Sequence, residues 1–196
     1  MKVNPPKIFT LDLSPTDNPY EIPLTLLGGA DATNKTSVEE PLAAWTIGGT
    51  AVTVRNLLKF DLSSIPANSI ILSADLHMSS DTIPLNGDLV HANYGTDNSF
   101  VVQQVATAWD PATVTWFNQP AGLRANQVVV PNTTQPFLNL DINVANLVAA
   151  MVNNNQNYGF KLTLQSEVEY TSRIFCSSYY SVASRHPRLV VKYEVH

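Results

Sequence analysis

Short runs of alternating apolar and polar residues dominate the chain. Between positions 55 and 62, Leu58, Phe60 and Leu62 fall on one face, while Lys59 and Asp61 fall on the other. An alternation with a period of two residues is typical of a β-strand that buries one side. The sequence Ser-Ser-Ile-Pro that follows ends this strand.

A second alternation predicts a long strand at positions 70–78. Its apolar face consists of Ile70, Leu72, Ala74, Leu76 and Met78. Further runs of this kind, separated by clusters of Pro, Gly and Asn, lie at 100–105, 128–130, 137–142, 158–164, 172–178 and 189–195. Many short strands at this spacing predict an all-β fold, which we expect to be an antiparallel, jelly-roll-like β-sandwich.

The alternation also separates buried from outward side chains. The residues expected in the core are Phe60, Leu62, Leu76, Trp116, Phe160 and Val191. The residues expected to face outward are Arg55, Lys59, Asp75 and His77.

One segment departs from the two-residue period. Its apolar residues, at helical spacing, are Val144, Leu147, Val148 and Met151. Asp141 or Asn143 precedes them as a possible N-cap, and a run of three asparagines follows. These signals predict one short helix over 143–152, at one end of the sandwich.

Length and composition favour a single folded domain. The chain has 196 residues, of which 44% are hydrophobic, and this is enough apolar surface for an ordinary core. The first 30 residues are richer in proline and polar residues. We therefore expect residues 1–30 to form a leading strand with an irregular approach, or a linker from a preceding domain, and residues 31–196 to form one β-sandwich domain.

Charge is sparse and excludes some classes of partner. Charged residues make up 14% of the chain, against about a quarter in typical soluble proteins. The 11 Lys and Arg residues are spread out and the formal net charge is -5, so we expect no binding of nucleic acid or anionic membrane. The low Lys count also argues against a strongly acidic polysaccharide as ligand, because anionic ligands favour clustered Arg and Lys.

Cysteine usage and the first residues bear on the cellular compartment. Cys176 is the only cysteine, so the chain forms no internal disulfide and no thiolate metal cluster. No apolar run approaches the ~18 residues that a membrane span needs. The start lacks the apolar core of a signal peptide, so either the protein is cytoplasmic or Met1 stands where a removed signal peptide ended. We favour the second alternative.

Several stretches occur in an informative order. The stretch at 55–66, Arg-Asn-Leu-Leu-Lys-Phe-Asp-Leu-Ser-Ser-Ile-Pro, is followed by Trp109-Asp110 and by Val-Thr-Trp-Phe-Asn-Gln-Pro at 114–120. Asn-Tyr-Gly-Phe at 157–160 and Pro-Arg-Leu-Val-Val at 187–191 close the series. Together they resemble the DNRLRE domain, the disaggregatase-related repeat family, which overlaps a family of carbohydrate-binding modules. The resemblance runs from about Asp31 to the C-terminus.

The resemblance implies a jelly-roll-like sandwich of the kind found in secreted, cell-surface and multi-modular bacterial proteins, often beside polysaccharide-degrading enzymes. It implies an extracellular or cell-surface location, with other domains of a parent protein as partners. It does not imply one particular ligand. The literal string that names the family is absent from this chain.

Catalytic motifs are missing from the sequence. Hydrolysis needs a nucleophile with a base, or two carboxylates that face a cleft, and neither arrangement can be named here. No Gly-x-Ser-x-Gly elbow, His-Glu-x-x-His helix or phosphate-binding glycine loop occurs. His77 beside Asp75 is best interpreted as an ordinary pair on the outward face of a strand. We therefore expect a protein that is not an enzyme and needs no cofactor.

Loop aromatics are the candidates for a ligand site. Exposed rings can stack on the C–H face of a sugar, and the loops of a sandwich carry function more often than its strands. The candidates are Trp45, Tyr94, Tyr179 and Tyr180, with Arg185 and His186 as polar partners. Trp109 and Trp116 lie inside the family-like stretches and are expected in the core instead.

Oxygen-bearing side chains raise the possibility of a structural calcium ion. The candidate ligands are Asp31, Asn34, Glu39 and Asp141. Calcium prefers an all-oxygen shell, but no spacing among these residues is diagnostic, and side chains that form turns are the alternative interpretation.

Three classes of function remain open at this stage. The first is a module that binds a glycan or cell-surface polysaccharide that is neutral or mildly anionic. The second is a structural spacer or adhesin domain with no ligand of its own. The third, an enzyme on a jelly-roll scaffold, ranks lowest because no catalytic pair can be named.

Overall fold

The computed structural model describes residues 5–15 and 20–195. Residues 1–4, 16–19 and 196, which belong to the two predicted segments, lie outside the described residues. The elements in chain order are β1 (Lys7–Leu13), β2 (Glu21–Leu27), β3 (Ala30–Asp31), β4 (Glu39–Ile47), β5 (Thr50–Leu58), β6 (Ile70–Met78), β7 (Asn93–Tyr94), β8 (Phe100–Val105), β9 (Gly122–Val130), β10 (Leu140–Asn143), α1 (Ala145–Asn153), β11 (Phe160–Leu164), β12 (Thr171–Cys176) and β13 (Arg188–Val195). A single 3-10 turn at Ala183–Arg185 precedes β13.

The strands form two antiparallel sheets. The smaller sheet has the order β1-β13-β6-β10. The larger has the order β7-β12-β4-β5-β11-β8-β9, and β2 pairs with β5 and with β3. The predicted antiparallel β-sandwich with one short α-helix is therefore confirmed. None of the described helices is long and apolar enough to cross a bilayer.

Strand β5 changes partner along one of its edges. Its residues 50–54 pair with β4, whose other edge pairs with β12 over residues 39–44. Beyond this point β11 lies beside β5, with Leu162 opposite Asn56 and Phe160 opposite Leu58. The larger sheet therefore curls where β4 and β11 diverge.

One large apolar cluster fills the space between the sheets. Five of the six predicted core residues are buried in it, namely Phe60, Leu62, Leu76, Phe160 and Val191. The side chains predicted to face outward, Arg55, Lys59, Asp75 and His77, are all half-buried rather than fully exposed.

Trp116 and Trp109 were both predicted to lie in the core, and both predictions were wrong. Both indoles are partly buried and pack against a separate small cluster that includes Leu24, Leu57 and Val114. They belong to an irregular segment, not to strands, so alternation gives no information about their burial.

The predicted apolar face of β6 is wrong at Ile70 and Leu72, because the strand contains a β-bulge. Ser73 lies opposite Lys192, but Ile71 lies opposite Tyr193, so Leu72 is the extra residue. A bulge shifts the alternation by one position. Ile70 and Leu72 are consequently exposed, while Ile71 packs against the core.

Helix α1 confirms the predicted helical segment. Its buried face consists of Leu147, Val148, Met151 and Val152. The N-cap is Val144, not Asp141 or Asn143 as predicted, and its side chain forms no capping hydrogen bond. The Asn143 side-chain oxygen nevertheless accepts a hydrogen bond from the Ala145 amide at 3.1 Å, which satisfies one of the free N–H groups of the first turn.

The first 30 residues contribute to both sheets. Strand β1 pairs with β13 over seven residues, and β2 pairs with β5 over seven residues. The division of the chain at residue 30 stays a prediction.

Phe60→Ala should lower the free energy of unfolding by about 3–5 kcal/mol, because it removes a ring from the middle of the core. The matched control is Phe117→Ala, since Phe117 is well exposed and should cost under about 0.5 kcal/mol. Urea unfolding measures both. Similar losses at the two positions would show that the core has been assigned to the wrong face.

Candidate functional site

A groove of about 450 Å³ lies on the open face of β2, β4 and β5. Strand pairing places Trp45 opposite Val52 and Ala43 opposite Val54, so these four side chains share one face. Leu27, also opposite Val52, extends the same surface onto β2. The volume lies in the range of small-ligand sites, which is roughly 300–1,000 Å³.

A two-glycine turn fixes the register of the groove floor. Gly48 and Gly49, between β4 and β5, have φ values of 56° and 81°. Two successive positive φ angles are typical of the tight hairpin turn that suits strand twist. The turn sets Ile47 opposite Thr50, which fixes Trp45 opposite Val52.

Glu39 anchors one wall of the groove. Its carboxylate accepts hydrogen bonds from the Leu85 amide and from the side-chain amide of Asn86. Leu85 and Asn86 both line the groove. Burial, together with the neighbouring Asp81, raises the pKa of Glu39 to about 7 despite the lowering effect of these hydrogen bonds.

Three aromatic rings meet beside the groove. The Trp45 ring lies edge-on to Tyr94 at 5.3 Å and to Tyr170 at 5.1 Å between centroids. Tyr94 is 42% exposed and Tyr170 is 50% exposed. Trp45 and Tyr94 are thus brought together, although Trp45 lies in strand β4 and Tyr94 in strand β7, not in the loops we predicted. We call Trp45, Tyr94 and Tyr170 the aromatic cluster.

Sequence reasoning missed Tyr170. It follows Glu167-Val168-Glu169 between β11 and β12, a stretch that looks like an ordinary charged turn. Its φ of 64° is unfavourable for a residue with a side chain. Only the fold shows that this turn ends against Trp45.

Backbone strain is concentrated near the groove. Within the described residues, five non-glycine residues have positive φ, and three of them are asparagines, which tolerate it. The other two are Leu89, which lines the groove, and Tyr170 of the aromatic cluster. Such strain costs of order 1–3 kcal/mol and is found most often at functional sites.

The remaining predicted ligand residues form a second group outside the groove lining. Arg185 donates to the Ser80 carbonyl at 3.0 Å and lies 5.6 Å from the Tyr180 ring centroid. A ring nitrogen of His186 bonds to the Tyr180 carbonyl at 2.7 Å. These bonds fix the loop before β13. Tyr179, the fourth member of this group, is the most exposed.

The candidate calcium ligands have other roles. Asp31 accepts hydrogen bonds from the Trp116 amide and the Thr33 hydroxyl, both at 2.7 Å. Asn34 accepts from the Thr36 amide at 3.1 Å, as in a turn. Glu39 holds the groove wall. Asp141 pairs with His77 across β6 and β10. In the described part of the chain, His, Cys, Asp and Glu side chains form no group of three or more that could hold a metal ion.

Comparison with family models decides the class of the protein. The model of carbohydrate-binding module family 96 matches residues 32–193. The chain belongs to this family. No curated protein matches the chain.

Membership of family 96 agrees with the predicted carbohydrate-binding character. The match begins at residue 32, close to the boundary that the sequence suggested, and covers β4 to most of β13. It includes all three residues of the aromatic cluster. The more specific resemblance to the DNRLRE domain stays a prediction.

Two further buried carboxyl groups lie in this family 96 domain. Glu21 accepts a hydrogen bond from the Ser178 amide at 2.8 Å, and burial raises its pKa. Burial also raises the pKa of Glu40 well above its ordinary value, and the nearby Glu21 adds to this. One carboxyl oxygen of each lacks a hydrogen-bond partner among the described residues.

The stability of the protein should fall as the pH rises from 5 to 7.5. The folded protein holds protons on Glu39 and Glu40 that the unfolded chain, with pKa values near 4.5, has already lost. Their stabilising contribution is complete below pH 4.5 and is lost as the pH passes the folded-state pKa, which is about 7 for Glu39. Urea unfolding at several pH values measures the slope.

Glu40→Gln should flatten this slope and raise stability at pH 7.5, because it removes a carboxyl group that burial keeps protonated in the folded protein but that ionises in the unfolded chain. The matched control is Glu169→Gln at an exposed position, which should leave the slope unchanged. A stability that increases over this range in the wild type, or an unaltered slope in Glu40→Gln, would contradict the assignment.

Proposed function

We propose that the chain is a non-catalytic module that binds a neutral glycan in the groove on β2, β4 and β5, against the aromatic cluster. The observation that carries this proposal is the coincidence of three features in a family 96 domain: a groove, exposed rings and local backbone strain.

The charge of the groove favours a neutral ligand. None of the described residues that line it is Asp, Glu, Lys or Arg. An acidic polysaccharide would need cationic partners, because charge-assisted hydrogen bonds from Arg or Lys are the usual means of holding carboxylates. A neutral sugar needs no such partner.

The aromatic cluster suits the apolar faces of a sugar ring. Hydrogen bonds to sugar hydroxyls contribute little net free energy, because water already satisfies these groups. A ring that excludes water from the C–H face of a pyranose supplies much of the affinity. Tyr94 and Tyr170 are exposed enough to do this, and Trp45 contacts both rings edge to face.

The same lining supports a binding role without catalysis. Glycoside hydrolysis uses a pair of carboxyl groups that flank the scissile bond. The Glu39 carboxylate is bonded to Leu85 and Asn86, which line the groove, but Glu39 itself is not part of the lining. The groove can therefore hold a sugar but lacks the acid and base needed to cleave it.

We place this module outside the cell or at the cell surface, within a larger protein. A binding module of this kind brings neighbouring domains to a polysaccharide. Weak affinity is sufficient for this, since several modules together raise the overall affinity without new contacts.

Tyr170→Gly should weaken glycan retention at least about tenfold, because loss of an aromatic anchor commonly costs more than about 1.4 kcal/mol. Glycine also relieves the strained φ of 64° at this position, so the free energy of unfolding should not fall. Affinity electrophoresis against a panel of neutral polysaccharides measures retention. Loss of binding without loss of stability separates a contact with ligand from damage to the fold.

The control is Phe9→Ala, which removes an exposed ring from β1 in the other sheet and should leave retention unchanged. Loss of retention in Tyr179→Ala but not in Tyr170→Gly would place the site at the second aromatic group instead. If the wild type retains no glycan, the protein is a spacer or adhesin domain.

A further inference from the structure

The rim of the groove is unusually apolar for a surface exposed to water. Ile47, Leu85 and Leu89 line it and are 54%, 65% and 64% exposed. Ile83 and Val90, in the same loop as Leu85 and Leu89, are exposed as well. Exposed aliphatic side chains that cluster in this way mark an interaction surface, whereas scattered ones need no explanation.

The floor of the groove is mostly hydrocarbon, and the hydroxyl of Thr25, which lies opposite Val54, donates to the Pro23 carbonyl at 3.4 Å. Ala43, Val52 and Val54 form a small apolar cluster of their own, against which Leu27 and Trp45 pack. A sugar hydroxyl pressed onto the Ala43, Val52 and Val54 side chains would lose its water and gain no hydrogen-bond partner from them. A methyl group at the same place would gain the free energy of burial.

Three polar side chains at the margin, Asn34, Ser37 and Asn86, already have partners. The side-chain amide of Asn86 donates to Glu39, and the Asn34 oxygen accepts from the Thr36 amide. The Ser37 hydroxyl accepts from the Glu39 amide at 3.2 Å. These bonds maintain the loops around the groove, so shape and apolar contact dominate selection there.

We infer that the groove selects neutral sugars that carry a methyl group, supplied either by an acetyl substituent or by a 6-deoxy position. This inference rests on the proposed function and names the class of sugar for the same site. A methyl or methylene group in a well-shaped apolar pocket is worth roughly 10- to 200-fold in discrimination. The absence of charge from the described lining and its aliphatic rim both match such a ligand.

Two matched pairs of probes separate the sources of the methyl group. The first pair is an acetylated glucomannan and the same polymer after removal of its acetyl groups with alkali. The second pair is L-fucose and L-galactose, which differ only at the 6-position. The methyl-bearing member of at least one pair should bind at least about tenfold more tightly, by affinity electrophoresis for the polymers and NMR titration for the monosaccharides.

Two variants test whether the groove is responsible. Val52→Thr keeps the shape and the β-branched side chain but places a hydroxyl in the floor, and Ile47→Thr makes the rim polar. Both should reduce the preference for the methyl-bearing member to less than about threefold. Ile47 is exposed, so its variant stays folded even if Val52→Thr does not. The matched control is Val129→Thr, at an exposed position on β9, which should keep the full preference.

The outcomes separate a failure of the methyl preference from a failure of glycan binding itself. Equal retention of both members of each pair would overturn the preference for methyl groups and leave glycan binding intact. Retention of neither member of any pair, nor of any other polysaccharide in the panel, would overturn both. Concentration-dependent self-association in sedimentation, abolished by Ile47→Thr, would show that a second copy of the chain occupies the groove and would also overturn the inference.

Discussion

The change of partner along β5 is the constraint on which the groove depends. On one edge, β5 pairs with β4 over residues 50–54 and with β11 over residues 56–58. Because a backbone needs its ladder hydrogen bonds wherever it is buried, β11 takes the vacated place beside β5. The divergence curls the sheet and leaves one face of β2, β4 and β5 open.

Two buried glutamates lie at the start of β4, before its pairing with β5 begins at Ala43. Glu39 and Glu40 lie on neighbouring positions of β4 and are both buried, one bonded to the groove wall and the other enclosed by the core side. Burial of carboxyl groups costs stability once they ionise. Glu39, which holds the groove wall, therefore changes its protonation near neutral pH. This links the shape of the groove to the stability of the fold.

Regular alternation made much of the fold predictable, and departures from it account for the errors. Strand β6 and helix α1 follow from periodicity alone, but the bulge at Leu72 depends on how β13 pairs with β6, which no local pattern encodes. Strand β4 was missed because Glu39, Glu40 and Pro41 are poor strand formers. Trp45 could be chosen as a candidate because it is a large aromatic near glycines. Tyr170 could not, because its place beside Trp45 arises from contacts between distant strands.

The central claim is that a sugar binds beside Trp45, and the three indole N–H signals test it directly. Trp109 donates its indole N–H to the Tyr158 carbonyl at 2.8 Å, and Trp116 lies under Arg55 at 4.5 Å, both outside the groove lining. In an NMR titration with a retained glycan, the account predicts that the Trp45 indole signal shifts while the signals of Trp109 and Trp116 stay in place. A shift of the Trp116 signal, with the Trp45 signal unmoved at saturation, would contradict it.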